Sequence, residues 1–112
     1  MGGSFRKNKG KMKYRIIIRP EAEVDLKEAF QWYEYKRNGL GYDFLLHVEA
    51  GLRFIERNAE VTSPGYRGTR KYLIKRFPYK IFYLVEQSRV IVLAIMHGKR
   101  SPGLIKRRIN NL

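Results

Sequence analysis

The spacing of apolar residues divides the chain into three stretches. From Lys13 to Arg19 apolar and polar positions alternate: Tyr14, Ile16 and Ile18 share one side, and Arg15, Ile17 and Arg19 the other. That period of two predicts a strand. Pro20 stops the strand and suits the first turn of a helix, and Glu21 and Glu23 complement a helix N-terminus. Over Glu21–Arg37 the period becomes helical, with Ala22, Leu26, Ala29, Phe30 and Tyr33 on one stripe. Lys36 and Arg37 favour its end, and Asn38-Gly39 is the stop signal. A second helix is predicted from Gly41 to Arg57, with Phe44, Leu45, Val48, Leu52 and Ile55 as its stripe. The short link between the two implies an antiparallel hairpin.

Residues 58–68 read as a loop with a Pro64-Gly65 turn. Period two then returns. Strands are predicted at Thr69–Arg76, Tyr79–Glu86 and Arg89–His97, joined by Phe77-Pro78 and Gln87-Ser88. The last two are rich in β-branched and aromatic residues and should pair as a meander. His97–Pro102 reads as a loop. The tail Gly103–Leu112 either forms a short basic amphipathic helix or frays. At the other end, residues 1–11 are rich in Gly, Ser and Lys and read as a flexible basic arm. Met12 offers a second start, which would make that arm an added leader or an upstream extension.

The expected fold is therefore α+β, in the order β-α-α-β-β-β. The helical hairpin should cover one face of a four-stranded, mainly antiparallel sheet, with an optional short C-terminal helix. The expected organisation is an arm at 1–11, one domain at 12–102 and a tail at 103–112. The second sheet face is expected to be open to a ligand.

Charge sharpens this picture. The 112 residues carry a net charge of +14, unevenly placed. Residues 1–20 hold seven basic groups and no acid; residues 21–60 hold five basic and nine acidic groups; residues 61–112 hold twelve basic groups and one acid, Glu86. Such self-repulsion costs stability, and a polyanionic partner is the natural reason to keep it. Solubility alone would not require it. The absence of cysteine excludes a disulfide scaffold, a thiolate nucleophile and cysteine-bound zinc. There is no P-loop, GxGxxG or HExxH motif, so no cofactor or metal is expected. No apolar run suits a membrane span or a signal peptide, which makes the cytoplasm the expected compartment.

Strand alternation places the candidate site. Arg15 and Arg19 share a face, as do Lys71, Leu73 and Lys75. Lys80, Phe82 and Leu84 lie opposite Tyr79, Ile81, Tyr83 and Val85. If the basic sides all point away from the hairpin, the open face presents Arg15, Arg19, Lys71, Lys75 and Lys80. Arg76, Lys99 and Arg100 would flank it from the connections. Such a surface suits a phosphate backbone and unstacked bases. The plainer reading is a solvated sheet face, and a bulge in any strand would reverse the parity. Glu21, Glu23 and Asp25 are explained by the helix dipole, and His47 by packing. His97, at a strand end beside a basic loop, reads equally as an acid or base and as a neutral hydrogen-bonding group.

Three segments carry a family likeness. YRIIIRPEAEVDLKEAFQWY (Tyr14–Tyr33), RFPYKIFYLV (Arg76–Val85) and VIVLAIMHGKRSP (Val90–Pro102) occur in an order and spacing that resembles the RelE/ParE superfamily of bacterial type II toxins. The likeness spans Tyr14 to Pro102. It implies a growth-inhibitory toxin, a co-encoded antitoxin that wraps it, and an autoregulated operon. RelE-side members cut messenger RNA on the ribosome without a metal; ParE-side members inhibit DNA gyrase. By this resemblance Lys80 matches the basic position of the central strand, Arg100 the arginine after the last strand, and Lys71, with Lys75, the preceding strand. In a ribonuclease Lys80 and Arg100 would hold the phosphate, with Lys71 or His97 handling protons. The chain departs from the RelE pattern after Arg100, where no Tyr or His follows. Phe77-Pro78-Tyr79 and His97 also lean toward the ParE and plasmid-stabilisation branch. A non-toxic nucleic-acid- or ribosome-binding module is the remaining alternative. The expected antitoxin is acidic and partly disordered, folding over the basic surface as it binds.

Overall fold

A computed structural model of the chain describes residues 13–99 and 101–112. The basic arm and the second start at Met12 lie outside the described residues, as does Arg100. The element order is β1 (Arg15–Ile18), α1 (Pro20–Lys36), α2 (Leu40–Asn58), β2 (Arg70–Leu73), β3 (Tyr79–Glu86), β4 (Arg89–His97) and α3 (Ser101–Asn110). The strands form one sheet in the order β1-β4-β3-β2. β1 runs parallel to β4; the other two pairings are antiparallel. The predicted α+β order and the optional C-terminal helix are both present.

Local chemistry accounts for the element ends. Pro20 opens α1, and the Arg19 N–H makes the last bond to β4, at Val92 O (3.1 Å). The α1–α2 link turns on Gly39, at φ +90. The Glu34 carboxylate accepts from the N–H groups of Gly39 and Gly41, both at 2.9 Å. These are donors that a helix start leaves without an intrahelical partner. Gly41 also lets the hairpin close, because a β-carbon there would stand 2.7 Å from Phe30 O.

The hairpin packs on one face of the sheet. Ala22, Ala29, Tyr33, Phe44, Val48 and Ile55 meet Ile81, Tyr83, Val90, Val92 and Ile95 there. Tyr83 reaches through this layer: its hydroxyl donates to Ala59 O (2.9 Å) and lies 2.9 Å from Thr62 Oγ1. Arg70 donates to Glu60 O and Thr62 O, fixing the same loop.

Two expectations are corrected, and one strand changes parity. The second sheet face is not open. α3 lies on it, with Ile105 and Ile109 buried against Phe82, Leu93, Ala94 and Met96. The strand expected at Thr69–Arg76 ends at Leu73: the Ile74 N–H still donates to Tyr79 O at 2.9 Å, but Lys75 and Arg76 form the turn into β3, with Arg76 at φ +70. Finally, β4 changes parity. Phe82 opposes Ala94 while Tyr83 opposes Val92, so Leu93 is a bulge residue and joins Ala94 in the α3-side cluster.

The bulge falls where β1 runs out. β1 pairs with β4 only as far as Ile18–Val92, which leaves the remainder of that β4 edge without a strand. Asp25 of α1 supplies the missing acceptor, taking the Ile95 N–H at 3.0 Å. Arg108 of α3 donates to the same carboxylate at 2.6 Å and to Leu93 O at 3.1 Å. Both side chains are largely buried, at 13% and 24% exposure. Asp25 thus caps a sheet edge and does more than complement a helix dipole.

Four outcomes follow for stability. Asp25→Ala should cost about 2–4 kcal/mol in urea unfolding, since it strands a backbone donor and a guanidinium. A double-mutant cycle with Arg108→Met should give a coupling of at least ~1 kcal/mol. Gly41→Ala should lower stability by ~1–2 kcal/mol despite its better helix propensity, because the contact lies against backbone. Burial pushes the Tyr83 and Tyr33 hydroxyls above the usual tyrosine value of 10.0. The folded state then holds these protons longer than the unfolded one. Their stabilisation is complete below pH ~10 and is lost as pH climbs beyond it. Tyr83→Phe should flatten the alkaline fall of the melting temperature.

Candidate functional site

Most of the expected residues gather where β4 stops and the β2–β3 turn meets it. Lys80, second in β3, opposes Leu73 on one side and Met96 on the other. Its stem runs along Gly98, where a β-carbon would stand 3.4 Å from Lys80 Cε and 3.9 Å from Nζ. The Gly98 N–H donates to Pro78 O at 2.9 Å, which ties the loop after β4 to the β2–β3 turn. Lys71 opposes Phe82 and is therefore a diagonal neighbour of Lys80 on one face. Such neighbours lie roughly 7–8 Å apart. Lys75 and Arg76 project from the turn, with Arg76 in a left-handed conformation at φ +70. Lys99 is exposed beside them.

His97 opposes Tyr79, and their rings meet edge-on at 5.5 Å. Its Nδ1 accepts the Lys99 N–H at 3.2 Å, which leaves the ring proton on Nε2. Tyr79 belongs to an aromatic cluster with Tyr33, Phe44 and Phe77, whose ring centroids are 5.0–5.9 Å apart. This cluster holds the turn, and so the cations on it, in place. His47 closes its far side against Phe77 at 5.4 Å and donates from Nδ1 to Asp43 O at 2.8 Å. That is the packing role expected of it.

Arg15 and Arg19 are not part of this group. Arg15 opposes Arg89, at the other end of β4 from His97. Arg19 sits at the α1 start, with its Nε 3.4 Å from the Glu21 carboxylate. That carboxyl is held below the usual range by its helix-terminal N–H and, secondarily, by Arg19. β4 and the docked α3 separate the two arginines from Lys71 and Lys80. Where sequence alternation placed one continuous basic face, the fold makes two separated groups.

The group at the sheet end is strongly positive. The ion pairs among the described residues engage Arg19, His47, Arg89 and Arg108, so Lys71, Lys75, Arg76, Lys80 and Lys99 have no described carboxylate beside them. The arrangement can hold an anion with several donors, whereas His97, paired with Tyr79, lies on the hairpin side of the sheet, opposite Lys71 and Lys80. No group of three or more potential metal-ligating side chains occurs among the described residues. None of their helices is long and apolar enough to cross a membrane. Within 101–112, where a tyrosine or histidine would complete a RelE-like set, Arg108 is committed to Asp25. The roles of Asp25 and Arg108 were not visible in sequence, because 83 positions separate them.

The chain belongs to the ParE toxin family of type II toxin-antitoxin systems, parDE, whose family model matches residues 16–102. It is thus a type II toxin component, and its partner is a cognate antitoxin. Among solved structures, a chain of a chromosomal ParDE toxin-antitoxin system from P. aeruginosa matches with a TM-score of 0.68 at 13% identity. The match covers 77% of this chain and 97% of that one, and establishes the shared fold. No curated protein matches the sequence.

The His97 geometry has a direct spectroscopic consequence. Nitrogen NMR should find the Nε2–H tautomer in the neutral ring.

Proposed function

We propose that this chain is a growth-inhibitory, cytoplasmic toxin that acts by docking on DNA gyrase and needs no chemistry of its own. Its antitoxin is acidic and partly disordered, and folds over the basic surfaces as it binds. The observation that carries this reading is the docked α3, which closes the sheet face that an RNA-cleaving cleft would use. Membership of the ParE family points the same way. In this reading Lys71, Lys75, Arg76, Lys80 and Lys99 form a docking surface at the sheet end, Arg100, next in sequence, adds to the charge, and Arg15 and Arg19 are a separate basic group. No single one of them is then needed for turnover.

A second reading keeps the sheet end as a metal-independent ribonuclease site. It rests on Lys80 beside Gly98 and on His97, whose Nε2 carries the ring proton. There Lys80 and Arg100 would stabilise the phosphorane, and His97 or Lys71 would move protons.

Induced expression in a bacterium separates the two, with messenger RNA integrity and DNA damage followed together. The expected outcome is growth arrest with DNA damage and intact messenger RNA, weakened only in part by Lys80→Ala or Arg100→Ala. Rapid messenger RNA cleavage that Arg100→Ala abolishes would overturn the docking reading and establish the ribonuclease.

A further inference from the structure

A second cationic surface lies away from the sheet end, on the α2–β2 loop and the C-terminal helix. Tyr66 stands in the loop between α2 and β2 and is 41% exposed. Its hydroxyl donates to Asn110 Oδ1 of α3 at 3.1 Å, which joins the loop to the helix. Two cations sit against its ring: Lys106 Nζ at 5.2 Å and Arg67 Cζ at 5.8 Å from the centroid. They come from two elements far apart in sequence. Neither is paired with a described carboxylate.

The backbone here is held in an unusual shape. Arg67 is left-handed, at φ 52 and ψ 37, a region that a β-carbon disfavours. Gly65 and Thr69 bond across the turn at 2.7 Å, and Gly68 and Thr69 close it with bonds to Gly65 O and Tyr66 O. The turn would be easier with glycine or asparagine at position 67. An arginine kept there costs stability, and it places a guanidinium beside the ring that also holds Lys106. Arg107, exposed on the outward side of α3, extends the same positive surface.

We infer that Tyr66, Arg67, Lys106 and Arg107 form a binding surface for the phosphodiester backbone of duplex DNA. The surface is a loop laid against a helix, and all four of its residues are exposed. It therefore suits the outside of a duplex better than a splayed single strand. The ring that could stack on a base already carries two cations, so its contacts are to phosphate and independent of sequence. The inference does not depend on the toxin's target.

The test uses the purified full chain and a short fluorescent DNA duplex, with affinity measured across a salt series. Lys106→Gln and Arg67→Gly each remove one cation. Arg67→Gly also relieves the left-handed strain, so its fold should be as stable as wild type or more so. Each variant should shift the slope of log K against log salt by about 0.9, the release of one phosphate's counterion. Lys27→Gln, an exposed lysine on α1, should leave the slope unchanged. The inference fails if neither patch variant moves the slope, or if Lys27→Gln moves it equally. It also fails if polyglutamate displaces the duplex at equal charge concentration, which would assign the patch to an acidic protein. Tighter binding of a single strand, with the same sensitivity to Arg67→Gly, would overturn the duplex form.

Discussion

The structure depends on how one bare strand edge is closed. β4 has nine residues and β1 four, so β1 cannot cover the length of its neighbour. An uncovered edge leaves backbone donors and acceptors that burial makes costly. Here the gap is closed from both layers at once. Asp25 comes down from the hairpin, Arg108 comes up from the C-terminal helix, and the two meet at the Leu93 bulge. The bulge makes this possible by changing which backbone groups face the gap. It also turns Leu93 and Ala94 together toward α3, which gives that helix an apolar bed. Edge, bulge and helix docking are therefore one arrangement.

A second constraint acts at the other end of the sheet. Tyr33 and Phe44 from the two helices enclose Phe77 and Tyr79 from the β2–β3 turn and the start of β3. Aromatic edges packed at these distances add to plain area burial. The turn is held by packing from behind, while its charged residues face outward. That division lets five cations crowd one end of a small protein without a described carboxylate among them. The repulsion this implies is carried by the core beneath it.

The distribution of charge then follows the layers. The acidic stretch is the helical hairpin, and the basic residues gather at the sheet end and on α3, with Arg67 alone from the α2–β2 loop. A ParE-family toxin built this way carries its positive charge on separate surfaces. It also keeps the hairpin's outer side chemically distinct from both.

Much of the fold was legible in sequence. Residues 79–86 and 89–97 were placed as strands by alternation and a Gln87-Ser88 turn; the two helices were placed by their stripes, Pro20 and Gly39. These signals are local, so a window of residues contains the physics that decides them. The sequence also determined the net charge, the absence of thiol chemistry and the family pattern. What it left undecided needed partners remote in the chain. β2 ends at Leu73 because the chain turns through Lys75 and a left-handed Arg76, which no alternation reveals. The parity of β4 breaks because β1 is short and Asp25 can fill the gap. The tail becomes a helix on the sheet because Phe82, Leu93, Ala94 and Met96 give Ile105 and Ile109 somewhere to be buried. Docking that helix is what divides the basic residues into separate groups. A ten-residue segment is marginal as an isolated helix, and its apolar face orders only against a surface that tertiary structure creates.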